Sequence, residues 1–447
     1  MKALRSVSVA ILALLVAANG AWGAAEVLDA TLENGLKVLL LEDHRSPIIS
    51  FQVWYRVGSR NELPGMTGIA HLLEHMMFKG TATRGPGVYA RLIEQNGGRD
   101  NAFTSRDHTT YFVNIAVDRI DLVLELEADR MQNLLLDPQM IETERQVVME
   151  ERRTRTEDDP GGLLGEELGA IAFKAHPYRW PIIGWMEDIK RITREEVQAF
   201  YGTYYVPNNA LVVAAGDFNG SELLEKIRLH FGPIARRPAP PVVKAVEPAQ
   251  RGERRITVRK EARLPQIYIG YHVPNYRSDD APALEVLSVI LSAGRASRLY
   301  KRLVYEQQIA LNAGGDYSYL TADPYLFWFF VTPLVGQSTE VVEQALMREV
   351  GRLKDEPVSE IELQRAKNQI EASFVFGQDS VFRRASLLAS FELSAGWRLL
   401  DQFVPRIRAV TAQDLQHVAR RYFSESGRNV GILVPVPSGS RHSSPGR

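Results

Sequence analysis

A proline-rich segment divides the chain into two halves in which strands and helices follow one another in a similar order. Residues 236–250 contain four prolines, and proline favours neither helix interiors nor sheet ladders. Before this segment, alternating apolar stretches at 36–42 and 48–55 read as strands that lead into helices. After it, strands at 255–258 and 266–271 do the same. The order predicts an α+β fold of two similar domains, each a mainly antiparallel sheet packed with helices.

The two ends of the 447-residue chain differ from its body. Residues 1–25 combine Lys2 and Arg5 with an apolar run and a small-residue end, which is typical of a cleaved secretory signal peptide. That run is short for a membrane span, and no second run reaches spanning length. We therefore expect a secreted, periplasmic protein without membrane association, the alternative being an uncleaved anchor. The polar residues 438–447 are predicted to be disordered. The domains are then 26–235 and 251–437.

Composition excludes several chemistries. The chain has no cysteine, so disulfides, thiolate metal ligands and cysteine nucleophiles are ruled out. Its net charge is −1, which gives no reason to expect a nucleic-acid partner or binding to an anionic membrane.

The strongest chemical signal is His71-Leu72-Leu73-Glu74-His75, which lies in a helix predicted at about 69–78. Two histidines four apart project from one helix face, so both imidazoles can bind one metal ion. Glu74 places a carboxylate beside that ion, where it can act as a base on a bound water. H-x-x-E-H is the inverted form of a zinc-protease motif. The alternative is a solvated helix with two incidental histidines.

A second predicted helix, at about 139–155, offers the third protein ligand that zinc requires. It carries four glutamates: Glu142, Glu144, Glu150 and Glu151. Glu144 and Glu151 are seven residues apart, about two turns, and so share a face. Val147 and Val148 lie between them, which indicates that this face is partly buried and that a metal would offset the cost of a buried carboxylate. The alternative is a charged, solvated helix.

Together these features resemble the M16 family of zinc metallopeptidases (pitrilysin, insulinase, mitochondrial processing peptidase), in particular its small two-domain bacterial members. The family has a glutamate ligand about 76 residues after the second histidine; here 151 − 75 = 76, which selects Glu151. A further family glutamate, seven residues earlier, falls on Glu144. The resemblance covers about residues 27–435. The other matching stretches are Gly68-Ile69-Ala70, 76–81, 101–104 with Asp107 and Thr109, Pro177-Tyr178, 181–184 and 205–210.

The resemblance implies a zinc-dependent endopeptidase that cleaves peptides or unfolded segments. His71, His75 and Glu151 would bind one Zn²⁺ per chain, and Glu74 would be the general base. Glu144 would accept a hydrogen bond from one of the two histidines without touching the metal.

The resemblance also implies how a substrate would bind. In relatives the peptide is added as a β-strand to a sheet edge of the active domain. Here Asn101, Ala102 and Phe103 would form that edge. The alternative is that these residues simply lead into an ordinary strand.

One departure from the family pattern matters for the expected assembly. Active members carry an Arg and a Tyr, seven apart, in the second domain, but the matching positions here are Val304 and Leu311. Neither side chain can donate a hydrogen bond, and Arg302 and Tyr305 are out of register. In the two-subunit members one chain carries zinc and the other carries the Arg/Tyr pair. We therefore predict the zinc-bearing subunit of a heterodimer with a homologous M16 partner. A homodimer, a non-catalytic scaffold of the same fold and a peptide-binding subunit are the alternatives.

Overall fold

A computed structural model describes residues 26–437; the predicted signal peptide 1–25 and the predicted tail 438–447 lie outside the described residues. Each half of the described chain forms one β-sheet with helices packed on it. The predicted α+β fold of two similar domains is confirmed. Of the helices described, none has the length and apolar character that a membrane crossing requires.

The sheet of the first half has six strands in the spatial order β1-β2-β6-β3-β5-β4. Neighbouring strands are antiparallel except β2 and β6, which run parallel. Strand β6, the last of this half, lies between β2 and β3. The strands are β1 (Leu28–Thr31), β2 (Lys37–Glu42), β3 (Ile48–Tyr55), β4 (Arg99–Thr104), β5 (Thr109–Ala116) and β6 (Ala210–Gly216).

The sheet of the second half repeats this topology without the first strand. Its order is β7-β11-β8-β10-β9, again antiparallel except for one parallel pair, β7 and β11. Strand β9 is thus the counterpart of β4, and both end their sheets. The strands are β7 (Arg254–Glu261), β8 (Gln266–Val273), β9 (Ala310–Tyr317), β10 (Tyr325–Pro333) and β11 (Arg428–Val436).

The helices follow the same repeated order. In the first half they are α1 (Ile69–Met76), α2 (Val88–Gln95), α3 (Ile120–Gln132), α4 (Pro138–Arg152), α5 (Pro160–Ala172), α6 (Met186–Ile189), α7 (Arg194–Tyr204) and α8 (Gly220–Phe231). In the second half they are α9 (Ala281–Ser292), α10 (Thr339–Asp355), α11 (Glu360–Gly377), α12 (Val381–Ser394), α13 (Phe403–Ala409) and α14 (Ala412–Tyr422). By chain order between equivalent strands, α9 corresponds to α1, α11 to α4 and α12 to α5.

Two predicted helices differ from the observed backbone. Helix α4 ends at Arg152, and residues 153–157 form a wider π-helical turn in which the Asp158 N–H donates to the Arg153 carbonyl at 2.7 Å. The sequence also predicts a helix at 298–307, and the structure shows this stretch as π-helical over Tyr300–Glu306.

The two halves exchange equivalent helices. Helix α12 of the second half lies on the outer face of the first sheet, where Ala385, Leu388 and Ala389 form one apolar cluster with Trp54 and Leu211. Helix α5 of the first half packs on β7, β8 and β11 of the second sheet. Our reading of the sequence predicted neither helix. Four glycines weaken the helical pattern of α5, and α12 mixes small apolar residues with arginines and serines.

A polar cluster also joins the halves. The Asp107 carboxylate accepts the Tyr178 hydroxyl at 2.6 Å and the Arg60 guanidinium at 3.1 Å. Arg60 reaches across to Asp323 of the second half at 2.7 Å, and His176 Nε2 donates to the same carboxylate at 3.1 Å. Asp107 and Tyr178 belong to stretches that resemble the M16 family, and in this structure both side chains help to join the two halves.

The proline-rich segment 236–250 contains no helix or strand, and β7 begins at Arg254. It is anchored nevertheless, since the Glu247 carboxylate accepts backbone N–H groups of residues 174–176 at 2.8–3.0 Å. These bonds hold the pKa of Glu247 below its ordinary range against the opposing effect of burial.

Candidate metal centre

The motif helix α1 is fixed at its N-terminus. Gly68 adopts φ +90°, and a side chain there would meet the Ile183 carbonyl at 2.5 Å, so only glycine fits. The buried Glu62 carboxylate accepts the N–H groups of Gly68 and Ala70, each at 2.9 Å. Leu72, Leu73 and Met76 are buried in the core of the first half. The opposite helix face therefore presents the polar residues of the motif in a fixed orientation.

The three predicted metal ligands converge. Glu151 Oε2 on α4 lies 3.7 Å from His71 Nε2 and 3.5 Å from His75 Nε2. The ligand atoms all lie within 4.8 Å of one another. Zinc ligands at about 2.0–2.2 Å in tetrahedral geometry are separated by roughly 3.3–3.6 Å, so the spacing fits one zinc ion with a fourth position left for water. Two imidazoles and one carboxylate are also the donor set that zinc favours in catalytic sites.

Hydrogen bonding sets the tautomer of the second histidine. His75 Nδ1 lies 3.2 Å from Glu144 Oε2, and since a carboxylate only accepts, Nδ1 carries the proton and Nε2 keeps its lone pair toward Glu151. Lys79 Nζ binds the other Glu144 oxygen at 2.7 Å. The sequence left open which histidine Glu144 contacts, and the structure places it against His75.

The first histidine is kept neutral by its surroundings. Burial, followed by the proximity of His75 and Arg155, lowers the pKa of His71 to about 3. A neutral imidazole is the form that binds metal. Its Nδ1 atom is buried and meets no hydrogen-bond partner among the described residues. The ring is therefore oriented by packing alone.

Glu74 lies beside the ligands but is held from another direction. Its carboxylate accepts the Thr104 hydroxyl at 2.5 Å, which connects the motif helix to β4. Burial raises the pKa of Glu74, and the neighbouring Glu151 charge adds to that rise, whereas Thr104 and His75 oppose it. A carboxylate with a raised pKa next to a metal site suits a general base.

The structure distinguishes the adjacent glutamates of α4. Glu150 is 68% exposed and pairs with Arg153 on the solvent side. The outer oxygen of Glu151 binds Arg155 Nη1 at 2.7 Å, which fixes the carboxylate with its other oxygen toward the histidines. Of the two valines expected near this face, Val148 is buried but Val147 is exposed. The α4 face is thus only partly apolar.

The ligands open into a cavity of about 700 Å³. Edge strand β4 forms one wall, and residues 101–104 all contribute to it. Ala102 packs toward the core, whereas the Phe103 ring packs edge-on against Trp54 at 5.6 Å on the other face of the sheet. Among the described residues, β4 is paired with β5 only. The predicted substrate residues therefore lie on a free strand edge beside the metal ligands.

The second half contributes no side chain to this cavity among the described residues, because every lining residue lies between His71 and Ile183. Val304 packs against the core of the second half, and Leu311 lies 54% exposed on β9. Tyr317 lies on β9, the same strand as Leu311, but its hydroxyl donates to the Pro274 carbonyl at 2.6 Å. These positions offer no hydrogen-bond donor to the metal site.

Four residues shape the site through contacts that the sequence did not predict. They are Glu62, Lys79, Thr104 and Arg155. Arg155 could have been found from its spacing, since it follows Glu151 by four residues on a helical stretch. Thr104 contacts Glu74 from a strand 30 residues further along the chain, and Glu62 binds the start of α1 from the turn that precedes it. Neither contact follows from a helix or strand periodicity.

The repeated fold and the inverted histidine motif with its distant glutamate define a class of two-domain metallopeptidase-like proteins. The chain belongs to the M16 family: the model "Insulinase (Peptidase family M16)" matches residues 37–184, and "Peptidase M16 inactive domain" matches residues 191–370. The resemblance read from the motifs is confirmed.

Relatives and solved structures agree with this membership. The chain is 34% identical to the zinc protease PqqE of Helicobacter pylori over 91% of this chain and 92% of that protein. It is 28% identical to a probable mitochondrial-processing peptidase subunit beta of Arabidopsis thaliana, over 95% and 81% of the two chains. A crystal structure of a protease from Helicobacter pylori superposes with a TM-score of 0.89 at 32% identity, covering 92% of this chain and all of that one.

Proposed function

We propose that this chain is a zinc-dependent endopeptidase that cleaves peptides or unfolded polypeptide segments. The observation that carries the proposal is the convergence of His71 Nε2, His75 Nε2 and Glu151 Oε2 on one point beside Glu74. Relatives named zinc proteases across nearly the whole chain support it.

The residues divide the chemistry among them. A zinc ion held by His71, His75 and Glu151 would polarise the scissile carbonyl and acidify a bound water. Glu74 accepts the proton of the attacking water and returns it to the leaving nitrogen. Thr104 holds Glu74 in reach while leaving its second oxygen available. Glu144 and Lys79 keep His75 in the tautomer that binds metal.

Substrate recognition follows from the strand edge. An extended peptide added to β4 gains main-chain hydrogen bonds through Asn101, Ala102 and Phe103 with little demand on its sequence. A segment that is already paired or buried inside a folded protein is not free to add to β4, which favours peptides or unfolded segments as substrates.

We further propose that the chain acts as the catalytic subunit of a heterodimer with a homologous M16 partner. Val304 and Leu311 leave the substrate carbonyl without the donors that active family members place there, and the described second half lines no part of the cavity. A partner that carries the Arg/Tyr pair would supply them. We place the complex in the periplasm on the strength of residues 1–25, and sequencing the N-terminus of the mature protein from a periplasmic fraction tests this.

Metal analysis and cleavage of an unfolded reporter polypeptide test the peptidase proposal. We expect one zinc per chain, loss of cleavage on chelation and recovery on zinc addition. His71→Ala should lose zinc, whereas the exposed His44→Ala should retain it as a matched control. Cleavage that survives complete zinc removal would reject the proposal. Stoichiometric zinc without cleavage, even with the partner present, would favour the scaffold or peptide-binding role.

The heterodimer is tested separately by assaying the chain alone and co-purified with the product of a homologous reading frame that keeps Arg and Tyr. Cleavage should rise at least about tenfold with the partner, and replacing the partner's Arg or Tyr should remove the gain. Full activity of the lone chain would contradict the division of labour without touching the zinc chemistry.

A further inference from the structure

The second half contains a cavity at the position that corresponds to the metal centre. It has a volume of about 590 Å³ and lies against α9 and α11, the counterparts of α1 and α4. Glu285 and Val289 on α9 line it with the same four-residue spacing as the two histidines, and Gln369 and Ser373 line it from α11. This volume is in the range of small-molecule binding sites.

Helix α12 closes the other side of this cavity. One face of α12 contributes Arg383, Ser386, Leu387 and Ser390 to the cavity lining. Another face, with Ala385, Leu388 and Ala389, packs on the first sheet. All residues that line this cavity belong to the second half, and it is separate from the metal centre in both its lining residues and its supporting elements.

The cavity has an apolar wall and one unpaired acid. Val289, Ile370, Phe374, Leu387 and Phe403 form the apolar wall. The Glu285 side chain is only partly accessible, and among the described residues it has no hydrogen-bond or ion-pair partner. Burial, with a contribution from the nearby Asp316 carboxylate, raises the pKa of Glu285 to about 8. A sequestered carboxyl without a partner is costly, which points to a ligand group that completes it.

A second unpaired charge of opposite sign borders the same space. Arg383 lines the cavity, is exposed, and its guanidinium forms no ion pair with any residue of the described chain. An anionic ligand would face Glu285, and a ligand carrying only a positive charge would leave Arg383 unsatisfied. The cavity lining contains one carboxylate, one amide and several hydroxyls but no histidine, which is a poor donor set for a transition metal. A molecule with one charge of each sign and an apolar body matches all three features.

We propose that this cavity binds an apolar α-amino acid, with the ligand ammonium on Glu285, its carboxylate on Arg383 and its side chain on the apolar wall. Pairing with the ammonium favours ionised Glu285, so binding near neutral pH releases a proton from this carboxyl to solvent. The site needs neither zinc nor peptide cleavage, and its test is independent of the proposed peptidase activity.

Isothermal titration of the full chain with three probes that share one isobutyl group tests the proposal. The probes are L-leucine, which carries both charges, 3-methylbutylamine, which carries only the positive charge, and 4-methylpentanoate, which carries only the negative charge. Leucine should bind most tightly, and at pH 7 its apparent enthalpy should vary with the ionisation enthalpy of the buffer because a proton is released. Failure of leucine to bind, or equally tight binding of 4-methylpentanoate, would overturn the proposal.

Variants locate the binding. Glu285→Gln should weaken leucine about tenfold or more and remove the buffer dependence, since a charge-assisted bond is lost without a change of shape. The exposed Glu360→Gln is the matched control and should bind as the wild type. Val289→Phe, which fills the cavity, should also abolish binding. Leucine bound at the metal centre would be insensitive to Glu285→Gln, so equal affinity in that variant would refute the assignment.

Discussion

The two halves share one architecture but carry different chemistry at the same place in it. In the first half the facing helices α1 and α4 present His71, His75 and Glu151, which suit one zinc ion. In the second half α9 and α11 present Glu285 and Val289 with amide and hydroxyl groups around an apolar space. The fold therefore provides a cavity between these two helices in both halves, and only the side chains on their inner faces decide whether it can hold a metal.

The halves are nevertheless not independent units. Helix α5 of the first half packs on the second sheet, and its counterpart α12 of the second half packs on the first sheet. The Arg60–Asp323 pair and the Glu247 carboxylate add polar links. Substitutions at a contact between a helix and the opposite sheet should therefore lower the stability of the whole chain. Substitutions inside one cavity should change only the binding or catalysis at that cavity.

The largest effect expected is the loss of cleavage in Glu74→Gln. Removing the base should lower cleavage about a thousandfold, or roughly 4 kcal/mol of transition-state stabilisation, since general base catalysis contributes about 10²–10⁴. The zinc content should stay at one per chain because Glu74 is not a ligand. Cleavage rates and metal analysis of the same preparation check both points.

Glu150→Gln is the control for that variant, because Glu150 is exposed, lies next to the ligand Glu151 and points to solvent. It should retain both zinc and activity. A Glu74→Gln protein that cleaves at the wild-type rate would show that the base lies elsewhere.

The sequence predicted the sheets and picked out the three side chains that converge as candidate metal ligands, because their signals are local or closely spaced. The motif histidines are four residues apart on one helix, and β3 (Ile48–Tyr55) begins and ends where its apolar pattern predicts. Helix α5 was not predicted because Pro160-Gly161-Gly162 and two further glycines weaken its helical pattern, although α5 is stabilised by packing on the other sheet. Propensity is outweighed there by tertiary contacts.

Contacts between distant elements could not be predicted. The Thr104 hydroxyl on Glu74 requires β4 to lie against α1, and Lys79 reaches Glu144 only after α4 has packed there. The cavity at Glu285 was also invisible, since one glutamate in an apolar helix gives no sign of what surrounds it. Such features depend on how helices face each other, which a single sequence without aligned relatives does not specify.

The second-largest effect tests whether the exchange of helices is reciprocal. Leu388→Ala in α12 and Leu168→Ala in α5 each remove a fully buried leucine at the contact with the opposite sheet. Each should lower the free energy of unfolding by about 2–5 kcal/mol, the usual range for leucine truncation in a core. Chemical denaturation monitored by fluorescence and by circular dichroism measures this.

In both variants the two signals should shift together if the halves unfold as one unit. The exposed Ile361→Ala is the control, with an expected change within about 0.5 kcal/mol. Two separate transitions in either variant would show that the halves are less coupled than the exchanged helices indicate.

A smaller effect is expected when the support of the metal ligands is removed. Glu144→Gln loses the charged acceptor of His75 Nδ1–H and the partner of Lys79. Zinc affinity should fall about 10–100-fold, the usual range for groups that orient a ligand from behind, while the fold is retained. Competition with a fluorescent zinc chelator gives the affinity directly. An unchanged affinity would show that packing alone orients His75, as it does His71.

The smallest effect separates the two halves by their pH dependence. The pKa of Glu285 is about 8 in the folded chain against an ordinary value of 4.5, so the folded state holds more protons between these values. The stability contributed by this group is fully present below about pH 4.5 and is lost as the pH rises through 8. Relative to Glu285→Gln, the wild type should therefore lose on the order of 1–2 kcal/mol between pH 5 and pH 8.5, a figure that allows for solvent screening at the cavity. Denaturation midpoints of both proteins over that range measure the difference, and parallel curves would show that the carboxyl in the second cavity is already ionised and solvated, which would remove the main reason to expect a ligand there.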